Sequence, residues 1–163
     1  IPAASHGSMN NLAMGYSGDS DSNKAWDYYE TIGGGMGASA VSDGMDAVQT
    51  HMTNTRNTPI EVMESNYPVR IKQYAIRDNS GGKGQHQGGN GLVREFEFLK
   101  PANVTLLTER RLHQPWGINH AAAGVSGQNS LNGKTLPPKT CFDVKAGDCL
   151  TIKTPGGGGW NKN

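Results

Sequence analysis

With 163 residues the chain is long enough for one ordinary domain with a real core. Only 34% of it is hydrophobic and 7% aromatic, while 23 residues are glycine, so apolar material for an independent core is scarce and missing partners are expected. Its 15 basic and 14 acidic residues give a net charge of +1 with no block of one sign, which argues against nucleic-acid and anionic-membrane partners, and no apolar run approaches the roughly 20 residues of a membrane span.

The first residues, Ile1-Pro2-Ala3-Ala4-Ser5, lack the charged and apolar regions of a secretory signal, and the absence of an initiator Met fits a piece of a longer protein. Two cysteines, Cys141 and Cys149, suit neither a metal knuckle nor a disulfide framework, so a reducing, cytoplasmic setting is expected.

In chain order, Gly, Ser, Asn and Met dominate through about Ser42, and residues 17–23 read as an exposed loop. Trp26 to Ile32 has strand composition and runs into Gly33-Gly34-Gly35-Met36-Gly37-Ala38, where backbone or ligand must approach closely. Thr58-Pro59-Ile60-Glu61 supplies an N-cap hydroxyl, a first-turn Pro and a Glu three residues on, which predicts a capping box and a short helix from about Pro59 to Ser65. Asn66-Tyr67-Pro68 ends it, because the residue before proline avoids helical geometry.

Strands and turns follow. Val69 to Arg77 is a strand, then a Gly-rich turn through Gly84; in Leu92 to Phe98, Phe96 and Phe98 share one face and Glu95 and Glu97 the other. Asn103 to Arg110 is a further strand, and Cys141–Val144 and Cys149–Thr154 bracket the turn signal Lys145-Ala146-Gly147-Asp148. The expected class is α+β, predominantly β: a Gly/Asn-rich segment with a short helix over 1–68 and a β-rich lobe over 69–163, forming one unit.

The densest polar constellation runs from Asp43 to Pro59 and includes Asp46, His51, Asn54, Arg56 and Asn57. Donors, acceptors and a guanidinium ahead of a helix suit a polar or phosphorylated substrate, whereas side chains satisfying their own loop backbone would have the same composition. His51 with Asp43 and Asp46 lacks a second paired ligand, so a protein-only metal site is not expected. His6 fits a tight site wall and a buried loop equally. The Gly33–Gly37 cluster has no Lys-Ser/Thr after it and is no phosphate loop, and Gly156–Gly159 reads as a flexible tail or as a segment laid against the rest.

Several strings resemble one family, in its order and along essentially the whole chain: Ile1 to Ser5, Met9-Asn10-Asn11, Tyr28 to Ala38, His51 to Val62, Gly88 to Glu95, Arg110-Arg111, Pro115-Trp116-Gly117 and Thr154 to Gly159. They look like the hydantoinase B/oxoprolinase family. Asn119 to Gly124 and Gln85-His86-Gln87 depart from its pattern and leave the substrate open.

The resemblance implies the C-terminal part of the B subunit of an ATP-dependent cyclic amide hydrolase. ATP with Mg is expected on a hydantoinase A-type ATPase partner, any divalent metal outside this chain, and the upstream part of B as a further partner. Two alternatives are a subunit of a related ATP-dependent ketone carboxylase and a non-catalytic β module for binding or assembly. The residues themselves suggest a polar pocket lined by Glu30, His51, Asn54, Arg56 and Asn57, with His51, Arg56 and Glu30 expected as catalytic residues and Arg56 orienting an oxyanion or phosphate. Asn54, Asn57, Gly34 and Gly35 are the expected contacts to a small cyclic amide, with Asp43 and Asp46 secondary.

Overall fold

A computed structural model describes residues 1–18 and 24–161, so most of the loop expected at 17–23 lies outside the described residues. Two antiparallel sheets carry the fold. The first has strand order β2-β1-β5-β8, from β1 (Asn10–Tyr16), β2 (Trp26–Thr31), β5 (Ala102–Thr108) and β8 (Lys139–Val144). The second has order β3-β4-β9-β6-β7, from β3 (Val69–Arg77), β4 (Gly91–Phe98), β9 (Cys149–Lys153), β6 (Gln128–Leu131) and β7 (Lys134–Leu136). One short helix, α1 (Ile60–Asn66), completes the expected, mostly β class.

Burial alternates along β2, β5, β8 and β9, and the apolar faces of the two sheets turn into a shared core. Leu12, Met14, Val104 and Leu106 come from the first sheet; Phe96, Phe98, Leu150 and Ile152 come from the second; Met63 of α1 is fully buried in the same cluster. The first sheet joins β1 and β2 to β5 and β8, so the early and late parts of the chain share this core.

Two details differ from the sequence reading, and a third takes on a role that the sequence left open. The capping box at α1 does not form: Pro59 occupies the N-cap with no side-chain hydrogen bond, because the Thr58 hydroxyl accepts from the Tyr28 phenol instead, at 3.0 Å. The turn expected at 145–148 forms, and because β8 pairs with β5 while β9 pairs with β4 and β6, it carries the chain from one sheet to the other. The true hairpin, β6 to β7, turns through Asn132-Gly133, both at positive φ, the geometry a two-residue turn of this kind demands.

The glycine segments form a third body. Around Gly156–Gly159 lie extended stretches near Ala4, Gly35–Ala38, Gly82, Gly89 and Ala122, joined by Gly35 N–H to Pro155 O, Gly157 N–H to Gly89 O, Gly89 N–H to Met36 O and Gly158 N–H to Ala4 O, all at 2.8–2.9 Å. An added Cβ at Gly157 would fall onto the Met36 carbonyl, so glycine is required by space rather than by φ. The segment expected as tail or packed piece is thus packed, and buried throughout 154–159.

Candidate active site

Residues 49–58 form a ledge across the ends of β1 and β2, anchored from behind. Gln49 Nε2 and Asn57 Nδ2 both donate to the Thr31 carbonyl, at 2.8 and 3.3 Å, and Thr53 Oγ1 donates back to Thr50 O. At the far end Thr58 N–H donates to Glu30 Oε1 at 2.9 Å, and the Tyr74 phenol donates to Asn57 Oδ1 at 3.2 Å.

Glu30 and Tyr28 share the inward face of β2, and Arg94 shares the inward face of β4 with Leu92, Phe96 and Phe98. Arg94 is fully buried and donates to Glu30 Oε2, so a single ion pair ties the two sheets together. Its Nε and Nη2 have no hydrogen-bond acceptor, and the guanidinium lies over the Tyr74 ring at 4.6 Å and near that of Phe96 at 5.3 Å. Burial raises the Tyr28 phenol, which stays protonated and donates to Thr58.

At the near end His6 is buried, its Nδ1 at 2.9 Å from Asn10 Nδ2 and its Nε2 at 3.0 Å from Thr50 Oγ1. Asn10 Oδ1 in turn accepts from Arg111, whose guanidinium also donates to Asn129 Oδ1 and to the Glu109 carbonyl. Burial first, then the charges of His51 and Arg111, push the His6 imidazole down to about 4 against the carbonyl of Val48. It is therefore neutral at pH 7.

The expected site residues separate into two groups. His51, Asn54 and Arg56 are exposed on the ledge and make no hydrogen bond or ion pair among the described residues. Glu30 stands behind the ledge with both oxygens engaged, and Asn57 is half-buried between Thr31 and Tyr74. Gly34 exchanges both backbone hydrogen bonds with Val48, and Gly35 is bonded to Pro155 and His6, so their N–H groups are spent within the chain and form no phosphate cradle. Gly34 serves His6 instead: a Cβ there would sit 2.5 Å from the imidazole Cγ. Asp43 and Asp46 brace the neighbouring loop, accepting from Gln87 N–H at 2.7 Å and Asn90 N–H at 2.6 Å.

Among the described residues no three His, Cys, Asp or Glu side chains come together as a metal cluster. At this ledge the N–H donors of Gly34 and Gly35 are bonded within the chain, so those two glycines offer no backbone cradle for a nucleotide phosphate.

The sequence model of the hydantoinase B/oxoprolinase family matches residues 1–163. The chain belongs to this family. Within it, the 5-oxoprolinase 1 of Arabidopsis thaliana is 48% identical over 99% of this chain and 13% of its own length. The 5-oxoprolinase of Dictyostelium discoideum is 42% identical over 98% of the chain and 12% of its own length. An ATP-dependent caprolactamase from Pseudomonas jessenii superposes with a TM-score of 0.76 at 25% identity, over 99% of this chain and 30% of that one. The chain thus spans about an eighth of these oxoprolinases and under a third of the caprolactamase chain.

Four residues of this hydantoinase B-type chain escaped the sequence reading as site residues: the buried Asn10, Tyr28 and Arg94 and the half-buried Arg111. Arg94 was visible in principle, because it falls in phase with Phe96 and Phe98, and an arginine on an inward strand face requires a buried partner. Asn10 falls in phase with Leu12 and Met14 in the same way.

Proposed function

We propose that this chain is the C-terminal part of the B component of an ATP-dependent cyclic amide hydrolase, and that the 49–58 ledge is a wall of its substrate site. The observation that carries the reading is the contrast across the ledge. Behind it, Thr31, Glu30, Tyr28 and Tyr74 engage its polar groups; in front, His51, Asn54 and Arg56 make no hydrogen bond or ion pair among the described residues. Polar side chains held on a fixed support without partners suit a ligand's oxygens.

On this reading Arg56 supplies charge to an oxyanion or phosphoryl group, His51 and Asn54 contact the ring, and Glu30 and Asn57 hold the ledge in place. The membership in an oxoprolinase family, and the likeness to a caprolactamase named as ATP-dependent, support the reaction class. ATP with its metal belongs to an ATPase partner component, and the rest of the B component completes the centre.

The test is Arg56→Ala in the whole enzyme, assayed for ATP-dependent hydrolysis of 5-oxoproline, hydantoins and lactams. A drop on the order of 100-fold or more in kcat/KM, with unchanged thermal unfolding, is expected for loss of one charged transition-state contact. Unchanged activity would remove the ledge from the site, and a strict requirement for bicarbonate would move the protein to carboxylation.

A further inference from the structure

The Asn10–His6–Thr50 chain has a direction, and the direction reaches the ledge. A guanidinium only donates, so the oxygen of the Asn10 amide must face Arg111, which leaves its NH2 to face His6. That NH2 donates, so His6 Nδ1 accepts and carries no proton. The neutral ring then holds its proton on Nε2, beside Thr50 Oγ1 at 3.0 Å.

Thr50 Oγ1 is therefore an acceptor toward His6, and its own proton cannot point back at the ring. It has no other acceptor among the described residues. A half-buried hydroxyl that accepts from behind is left with one free donor, and Thr50 sits directly beside the exposed His51 on the ledge.

We infer that Thr50 is a substrate-facing hydrogen-bond donor, its proton turned outward by the Arg111–Asn10–His6 chain, and that it meets an acceptor-only oxygen, the carbonyl of the scissile ring amide. This rests on the ledge being a substrate wall. Arg111 matters here as a cation with no carboxylate partner among the described residues: three neutral oxygens hold it, and burial lowers it only to about 9, so it stays charged and keeps Asn10 turned. His6, Asn10 and Arg111 are positioning residues that never touch the substrate.

Two measurements on the whole enzyme test this. Thr50→Val keeps the shape and removes the proton; a fall in kcat/KM on the order of 100-fold is expected, carried by kcat, with Thr50→Ser restoring most of it and thermal unfolding unchanged in both. Nitrogen-15 NMR of labelled histidine reports the His6 tautomer without reference to activity, and Nε2–H is expected at neutral pH. A proton on Nδ1 would overturn the chain of donors, and a fully active Thr50→Val enzyme would overturn the contact. An enzyme without ring-opening activity would defeat the functional reading and the ligand together, while the tautomer would still decide the direction of the Thr50 proton.

Discussion

Arg94 shows how one residue can be fixed by its environment. It is fully buried, Glu30 is its only carboxylate partner among the described residues, and its guanidinium lies over the rings of Tyr74 and Phe96. Removing one partner of such a pair strands the other charge in the core. Arg94→Met is expected to cost about 3–5 kcal/mol, whereas Arg94→Met with Glu30→Gln is expected to cost clearly less than the sum of the single changes. Chemical denaturation of the four proteins decides it; additive losses would mean that the two side chains do not act as a pair. The strand phase that placed Phe96 and Phe98 inside placed Arg94 there too, so its burial was legible, but its partner was not, because β2 and β4 are neighbours only across the sandwich.

At the scale of elements, strands with β-branched or aromatic alternation were readable: β2, β3, β4, β5, β8 and β9 lie within a residue or two of their expected bounds. β1 was not, because Asn-Asn-Leu-Ala-Met-Gly-Tyr has little strand propensity and forms by pairing with β2 and β5 on either side. The Asn132-Gly133 hairpin carried a strong local signal that the sequence reading passed over.

The glycine segments make a contrast that can be measured. Gly133 has positive φ and open space around it, whereas Gly157 has ordinary φ and a carbonyl where its Cβ would be. Gly133→Ala is expected to cost about 1 kcal/mol through backbone conformation alone. Gly157→Ala forces two segments apart and is expected to cost at least about 3 kcal/mol. Equal shifts in the denaturation midpoint would show that the glycine body is loosely packed.

No helix among the described residues is long and apolar enough to cross a membrane. A groove of about 680 Å3 runs over the outer face of the first sheet, past Ala13, Gly15, Tyr29, Asn103 and Thr105, away from the ledge.

Global stability should report His6. Its pKa is about 4 in the fold against 6.5 when exposed, so the unfolded chain takes up the proton first. The stabilisation is complete above pH 6.5 and is lost as pH falls toward 4, by roughly 3 kcal/mol, with no further loss from this residue below that. Asn10, Thr50, the Val48 carbonyl, His51 and Arg111 surround it, and none is a carboxylate that would hold the imidazolium. Urea unfolding across this range should show the slope in the native protein and its reduction in His6→Gln.

The sequence by itself determined the family, the mostly β class, most strands and the polar character of residues 43–59, because local alternation, turn chemistry and long motifs are written in consecutive residues. Tertiary structure alone decided that Glu30 stands behind the ledge, that Gly34 makes room for an imidazole, and that Arg111 reaches Asn10 across 101 positions of chain. These depend on which segments the two sheets and the glycine body bring together, and contacts between distant segments follow from packing that no local pattern encodes.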